Sequence, residues 1–336
     1  MKSHHLLPKK IILTGGKQRT DGYDIKEWAG YSLAVAISVE NENENENLIV
    51  KEVINYKTPK KYLAEDEDAS ITFKSGHLIN GELWISTQTE VLCFDPTNYE
   101  IICHFSHHLF NDVHHITVTS QNTLVITSTG LDAIFEYSRD GKLLNEWSCT
   151  GAPIWDKFDS TVDYRKVITT KPHTNHPNFC FEFEGNYWVS RLKNKDCYCL
   201  NTGEIISLAT GEIHDGILVG KHAYFTHVNG YISKVDMKLK KVVKLIDMNP
   251  INESTKELGW CRGLHYINED TFLVGFTRIR PSKYHQGLEW LKNKIHAKGW
   301  LGCQPTRVCL LNTKKMAFEW EINLEEHNIN AVFSIL

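Results

Sequence analysis

The run ITVTSQNTLVITSTGLDAIFEYSRDGKLLNEW, Ile116 to Trp147, reads as four short strands separated by polar turns. ITVT alternates apolar and β-branched residues and ends at Gln121-Asn122; Leu124-Val125-Ile126 is apolar at every position; Ala133-Ile134-Phe135 follows a loop; and the turn SRDGK leads back into Leu143-Leu144. Turn residues at short, regular spacing between β-branched and aromatic runs are the signature of successive antiparallel hairpins. A strand with no polar side must be covered on both faces, and one four-stranded sheet cannot do that for itself. The run therefore asks for neighbours of its own kind.

The chain supplies them. ITFKSGHLINGELWISTQTEVLCFDPTNYEII from Ile71, FCFEFEGNYWVSRLKNKDCYCLNTGEIISL from Phe179 and GILVGKHAYFTHVNGYISKVDMKLKKVVKL from Gly216 repeat the same order of strands and turns. Their second strands are equally apolar: Leu83-Trp84-Ile85, Tyr187-Trp188-Val189 and Ala223-Tyr224-Phe225. A repeat of four strands every ~40 residues is the pattern of a β-propeller, in which stacked blades bury each other's faces. A fifth copy is split between GLHYINEDTFLVGFTR (Gly263 to Arg278) and TRVCLLNTKKMAFEW (Thr306 to Trp320). The insertion of about 279–305 between them spaces Leu288, Leu291 and Ile295 as a short helix would.

The two ends are incomplete in complementary ways. NINAVFSIL at the C-terminus reads as one inner strand; KIILTGG, YSLAVAISVE and NLIVKEVINY near the N-terminus read as three strands without an inner partner. Joining them closes the ring and removes exposed sheet edges. The expectation is an all-β, six-bladed propeller of four-stranded blades over residues 1–336 as a single domain. The ENENENEN tract at Glu40 to Asn47 falls in a loop of the closing blade.

Composition narrows the partners. A net charge of −4 gives no basic surface for nucleic acid, so any anion site is local. No apolar run approaches the ~20 residues of a membrane span, and the opening MKSHHLLPKK does not read as a signal peptide, which predicts a cytoplasmic protein. The nine cysteines are scattered without a C-x-x-C pair; Cys197 and Cys199 would share one strand face, and reduced, buried thiols are expected. There is no G-x-S-x-G elbow, phosphate-binding glycine loop or H-E-x-x-H.

The blade pattern resembles the six-bladed propellers of the NHL, SMP-30/gluconolactonase and strictosidine synthase-like group. Several members of that group hold an axial calcium through acidic and amide side chains and use it in lactone or ester hydrolysis. Here the corresponding positions are rich in histidine. The segments that precede the inner strands are AEDEDAS, NDVHH, TNHPN, EIHDG, GWCRGLH and EEHNIN. They contain His114 and His115, His176, His214, Arg262 with His265, and His327; only the first offers carboxylates, at Asp66, Glu67 and Asp68. Imidazoles meeting on the axis would suit zinc, iron, copper or nickel rather than calcium. One histidine per blade around an axial ion is also similar in layout to the four-histidine iron site of carotenoid oxygenases.

His115, His176, His214 and His327 are the expected metal ligands, with one member of each neighbouring pair supporting from behind. Asp215, His114 or His265 is the expected general base. Loops at the same end carry Arg191, Arg278, Arg280 and Lys283, with Arg262 beneath them, as forks for a small anionic substrate. Two connections without strand pattern, about 149–177 and 279–305, read as lids, and the second, with Trp290 and Trp300, equally as an oligomer contact. Two function classes follow: a metal-dependent hydrolase or lyase, or a noncatalytic propeller that binds a protein or small molecule.

Overall fold

The computed structural model describes residues 7–19, 30–41, 48–65, 69–208, 210–252, 254, 256–279 and 304–336. They form six four-stranded antiparallel sheets. Four take consecutive strands whose inner members are Gly76–Ile79, Val113–Val118, Pro177–Phe183 and Ile213–Val219. The fifth begins at Trp260–Asn268 and pairs Thr271–Thr277 with Arg307–Asn312 across the long insertion. The helix expected over Leu288, Leu291 and Ile295, with Trp290 and Trp300, lies outside the described residues. Among the described residues no α-helix occurs, and no helix is long and apolar enough to cross a membrane.

The sixth sheet joins the chain ends as expected. Ala331–Ile335 is the inner strand and pairs with Lys10–Gln18, followed outward by Tyr31–Asn41 and Leu48–Tyr56. The register sets Leu13 opposite Ile335 and Gly16 opposite Ala331, with a shift between Thr14 and Gly15. At that shift a side chain is impossible, because a Cβ on Gly15 would stand 1.8 Å from the Ala331 carbonyl oxygen.

The doubly apolar strands now have their explanation. In the blade that begins at Val113, Leu124, Ile126 and Phe135 pack with Trp84 and Val91 of the preceding blade. The residues between them, Val125 and Ile134, pack with Cys180 and Val189 of the following one. The same division recurs at every junction, including that between the fifth and closing blades, where Leu273 and Val308 meet Leu13, Val35 and Val332. Alternation therefore sorts side chains between two interfaces instead of between core and water. Truncating one such residue to Ala costs about 2–5 kcal/mol. Eight described cysteines are free, and all but Cys103 are buried; Cys197 and Cys199 sit in one apolar cluster as expected.

One expectation about the first repeat needs correction. Its inner strand starts at Gly76, not Ile71. Residues 71–75 instead lace the first blade to the closing one: Ile71 bridges Ser32, the Phe73 N–H donates to the Gly15 carbonyl at 3.0 Å, and the Lys74 N–H to Ser86 at 2.8 Å. The axial position of this blade is thereby moved from Asp66–Asp68, which lie outside the described residues, to Lys74.

Candidate functional site

At the end of the bore where the inner strands begin, side chains from all six blades meet. They are Lys74, His114, His176, His214, Arg262 and Phe333. The rings of His114 and His176 lie 5.2 Å apart, those of His114 and His214 5.8 Å, and those of His214 and Phe333 6.1 Å. Lys74 Nζ stands 4.8 Å from the Phe333 ring and the Arg262 guanidinium 4.6 Å from it. Phe333 thus brings two cations to one ring, and each gains from its π electrons.

Each blade delivers its residue by a different local device. In the second blade a register shift between Val113 and His115 turns His114 to the axis. Its Nδ1 hydrogen-bonds the Asp112 carbonyl at 2.8 Å, while Asp112 itself forms an ion pair with Lys74 Nζ at 3.1 Å. His176 has φ +55° and closes the connection over 149–177. The Asp132 carboxylate fixes that turn by accepting from the backbone N–H groups of Thr174, Asn175 and His176 at 2.6, 2.9 and 2.8 Å. His173 Nδ1 then meets His176 Nδ1 at 2.8 Å. In the fourth blade a shift between Ile213 and Asp215 puts both His214 and Asp215 on the wall of one cavity.

That cavity is small, about 10 Å³ or room for roughly one water, and is lined by Ser75, His114, Asn178, His214, Asp215 and Phe333. Its polar groups are desolvated and lie close to two cations, Lys74 and Arg262. Burial, reinforced by Lys74, drives the His114 imidazole down to about 3. Burial and then His114 lower His176 to about 2, and burial with Arg262 holds His214 well below its ordinary range. All three are neutral at physiological pH. Burial also opposes ionisation of Asp112, but Lys74 overcomes it and keeps that carboxyl well below the usual range. Asp215 behaves oppositely: burial raises it to about 7, against the lowering by the Gly216 and Gly263 N–H groups and Arg262.

The expected site residues divide sharply. His114, His176, His214, Asp215 and Arg262 come together. His115 points between blades, its ring edge-on to Phe179 at 4.7 Å and its Nδ1 3.2 Å from Thr117 Oγ1. His327 lies in a 3₁₀ turn ahead of the closing strand, whose axial residue is Phe333. His265 hydrogen-bonds the backbone at Ile335, and burial lowers it. Arg191 is spent on a bidentate pair with Asp196 at 2.8 and 2.6 Å and on the Cys149 carbonyl. Arg278 pairs with Glu325 at 2.7 Å. Arg280 and Lys283 lie outside the described residues. Lys74, Asp112, Asp132, His173, Asn178 and Phe333 were not anticipated; only the recurrence of one polar residue per blade threshold could have pointed to Lys74.

Among the described residues no group of three or more His, Cys, Asp or Glu side chains has the geometry to hold a metal ion. The one imidazole cluster on the axis is flanked by Lys74 and Arg262, whose charges oppose a dication and favour an anion.

No family of known proteins matches this sequence, and no curated protein matches it. Solved structures do share the fold. A protein of unknown function from Bacteroides caccae superposes with a TM-score of 0.59 at 10% identity, over 98% of both chains. A propeller in a nidogen/laminin complex gives 0.57 at 8% identity, over 97% of both. A catalytically inactive virginiamycin B lyase from Staphylococcus aureus with quinupristin gives 0.44 at 14%, over 71% of this chain and 69% of that one. At such identities the two likenesses that span nearly the whole chain show the fold alone, the β-propeller.

Proposed function

We propose that the protein is an enzyme of hydrolase or lyase type that binds a small anionic molecule at the mouth of the bore, beside the axial cavity, and exchanges a proton with it through Asp215. What supports the reading is a single juxtaposition: two fixed cations, neutral imidazoles and a carboxyl that titrates near neutrality, all at one opening on the axis. Lys74 and Arg262 hold the anionic group, His214 offers a neutral N–H donor, and Asp215, protonated beside the bound anion, serves as general acid. An acid whose pKa lies near the working pH combines availability with driving force. Carboxyls raised in this way cost stability and are concentrated at functional sites.

The charge arrangement also predicts the pH dependence of binding. An anion beside Asp215 favours the protonated carboxyl, so binding takes up a proton and affinity falls as pH rises through about 7. Titration calorimetry with inorganic phosphate and acetate at pH 6 and pH 8 reads this directly. Arg262→Ala is expected to weaken both by at least about tenfold, and Asp215→Asn to remove the pH dependence. Retention of full anion affinity in Arg262→Ala and in Lys74→Met would overturn the assignment. A stoichiometric transition metal in the purified protein, lost in His114→Ala and His214→Ala, would replace it with the metal-dependent reading.

A further inference from the structure

We infer that one water is a fixed part of the site, and that it locks His214 in the tautomer whose hydrogen is on Nε2, the nitrogen left for the anion. The inference rests on the anion reading above, in which Asp215 keeps its proton, and specifies how the imidazole is made a donor. Two buried polar atoms of the cavity wall, Asn178 Oδ1 and His214 Nδ1, have no hydrogen-bond partner among the described residues. Their residues are only 2% and 8% exposed. Asn178 cannot be turned over, because its Nδ2 donates to the Ile213 carbonyl at 3.0 Å and an amide oxygen there would face another acceptor. A cavity of about 10 Å³ with several polar walls takes a single water.

The walls decide which way that water points. Asn178 Oδ1 only accepts, so it takes one of the water's hydrogens. Ser75 Oγ accepts from the Ile116 N–H at 3.1 Å and has its own hydrogen to give, and the protonated Asp215 has another. These fill the water's two lone pairs. Its second hydrogen then goes to His214 Nδ1, which must be bare to receive it, so the neutral ring carries its hydrogen on Nε2. With the hydrogen on Nδ1, three donors would compete for two lone pairs and one water hydrogen would be buried without an acceptor, which is costly. Arg262, His114, His176 and Lys74 all oppose a second proton on the ring. A bound anion has acceptors alone, so the form with Nε2–H is the one that can meet it.

The test reads the tautomer directly. Proton–nitrogen correlation spectra of the full-length protein, labelled with nitrogen-15 histidine, are recorded at pH 6 with saturating inorganic phosphate, and the His214 ring is identified by its loss in His214→Gln. The pattern of the Nε2–H tautomer is expected, and a high-resolution crystal structure should hold one water within about 3.2 Å of both Asn178 Oδ1 and His214 Nδ1. In Asn178→Leu, which removes the acceptor, the water should be lost, the ring should show both tautomers, and phosphate affinity should fall about twofold to tenfold. Should that variant fail to fold, the wild-type spectrum and crystal structure decide alone. An Nδ1–H ring with phosphate bound, a dry cavity, or an unchanged tautomer in Asn178→Leu overturns the inference and leaves the anion reading standing. Failure of phosphate to bind overturns the reading and the inference together.

Discussion

Asp215 is the residue where function and stability pull apart. Its carboxyl titrates near 3.8 when exposed and near 7 in the fold, so the folded state holds the proton more tightly. That preference stabilises fully below about pH 4 and is lost as pH rises through about 7. Asp215→Asn, which cannot ionise, is therefore expected to be more stable than the wild type by about 1–3 kcal/mol at pH 8. The gain should shrink to nothing toward pH 4, as read by urea unfolding at several pH values. Asp215, His214 and Arg262 were legible because each stands at a recognisable strand threshold. His114 and His115 could not be told apart from sequence, since the register shift between Val113 and His115 decides which ring faces the axis. Lys74 was hidden by the irregular stretch before Gly76, which displaces the blade's first axial residue from where counting from Ile71 would put it.

At the scale of elements, the connection over 149–177 is part of the site's scaffold. It is pinned to the second blade by Asn111 Nδ2, which donates to the Tyr164 and Val167 carbonyls at 2.9 and 2.7 Å, and by the Asp132 carboxylate beneath Thr174–His176. Asp132 is itself 1% exposed. Asp132→Ala strips the acceptor from three backbone N–H groups, one of them on the buried Asn175, and is expected to cost about 1–3 kcal/mol. It should also weaken phosphate binding, because His176 loses its support, whereas Asp132→Asn should restore part of both. Chemical denaturation and calorimetry on the same samples check the pair of effects. The sequence marked this segment as a lid because it lacked strand pattern. It could not show that the turn at its end carries an axial imidazole, since that depends on a carboxylate about forty residues earlier in the chain.

For the whole molecule, the periodicity that announced the propeller was visible because every blade must satisfy two apolar interfaces, and the pattern is renewed at each. Closure was visible for the complementary reason: the terminal segments lacked what the other end had. Gly15 is the point at which closure is most exposed to damage. Gly15→Ala sets a methyl against the Ala331 carbonyl and is expected to cost several kcal/mol, since backbone on both sides must move. It should speed proteolysis of the closing blade, seen as early cleavage near either end of the chain. The meeting of one side chain from each sheet at the mouth of the bore has a mechanical corollary. A molecule seated there is gripped from all sides, like a pin through a wheel hub. Occupancy would resist the radial opening of any sector, so guest and ring would hold each other together.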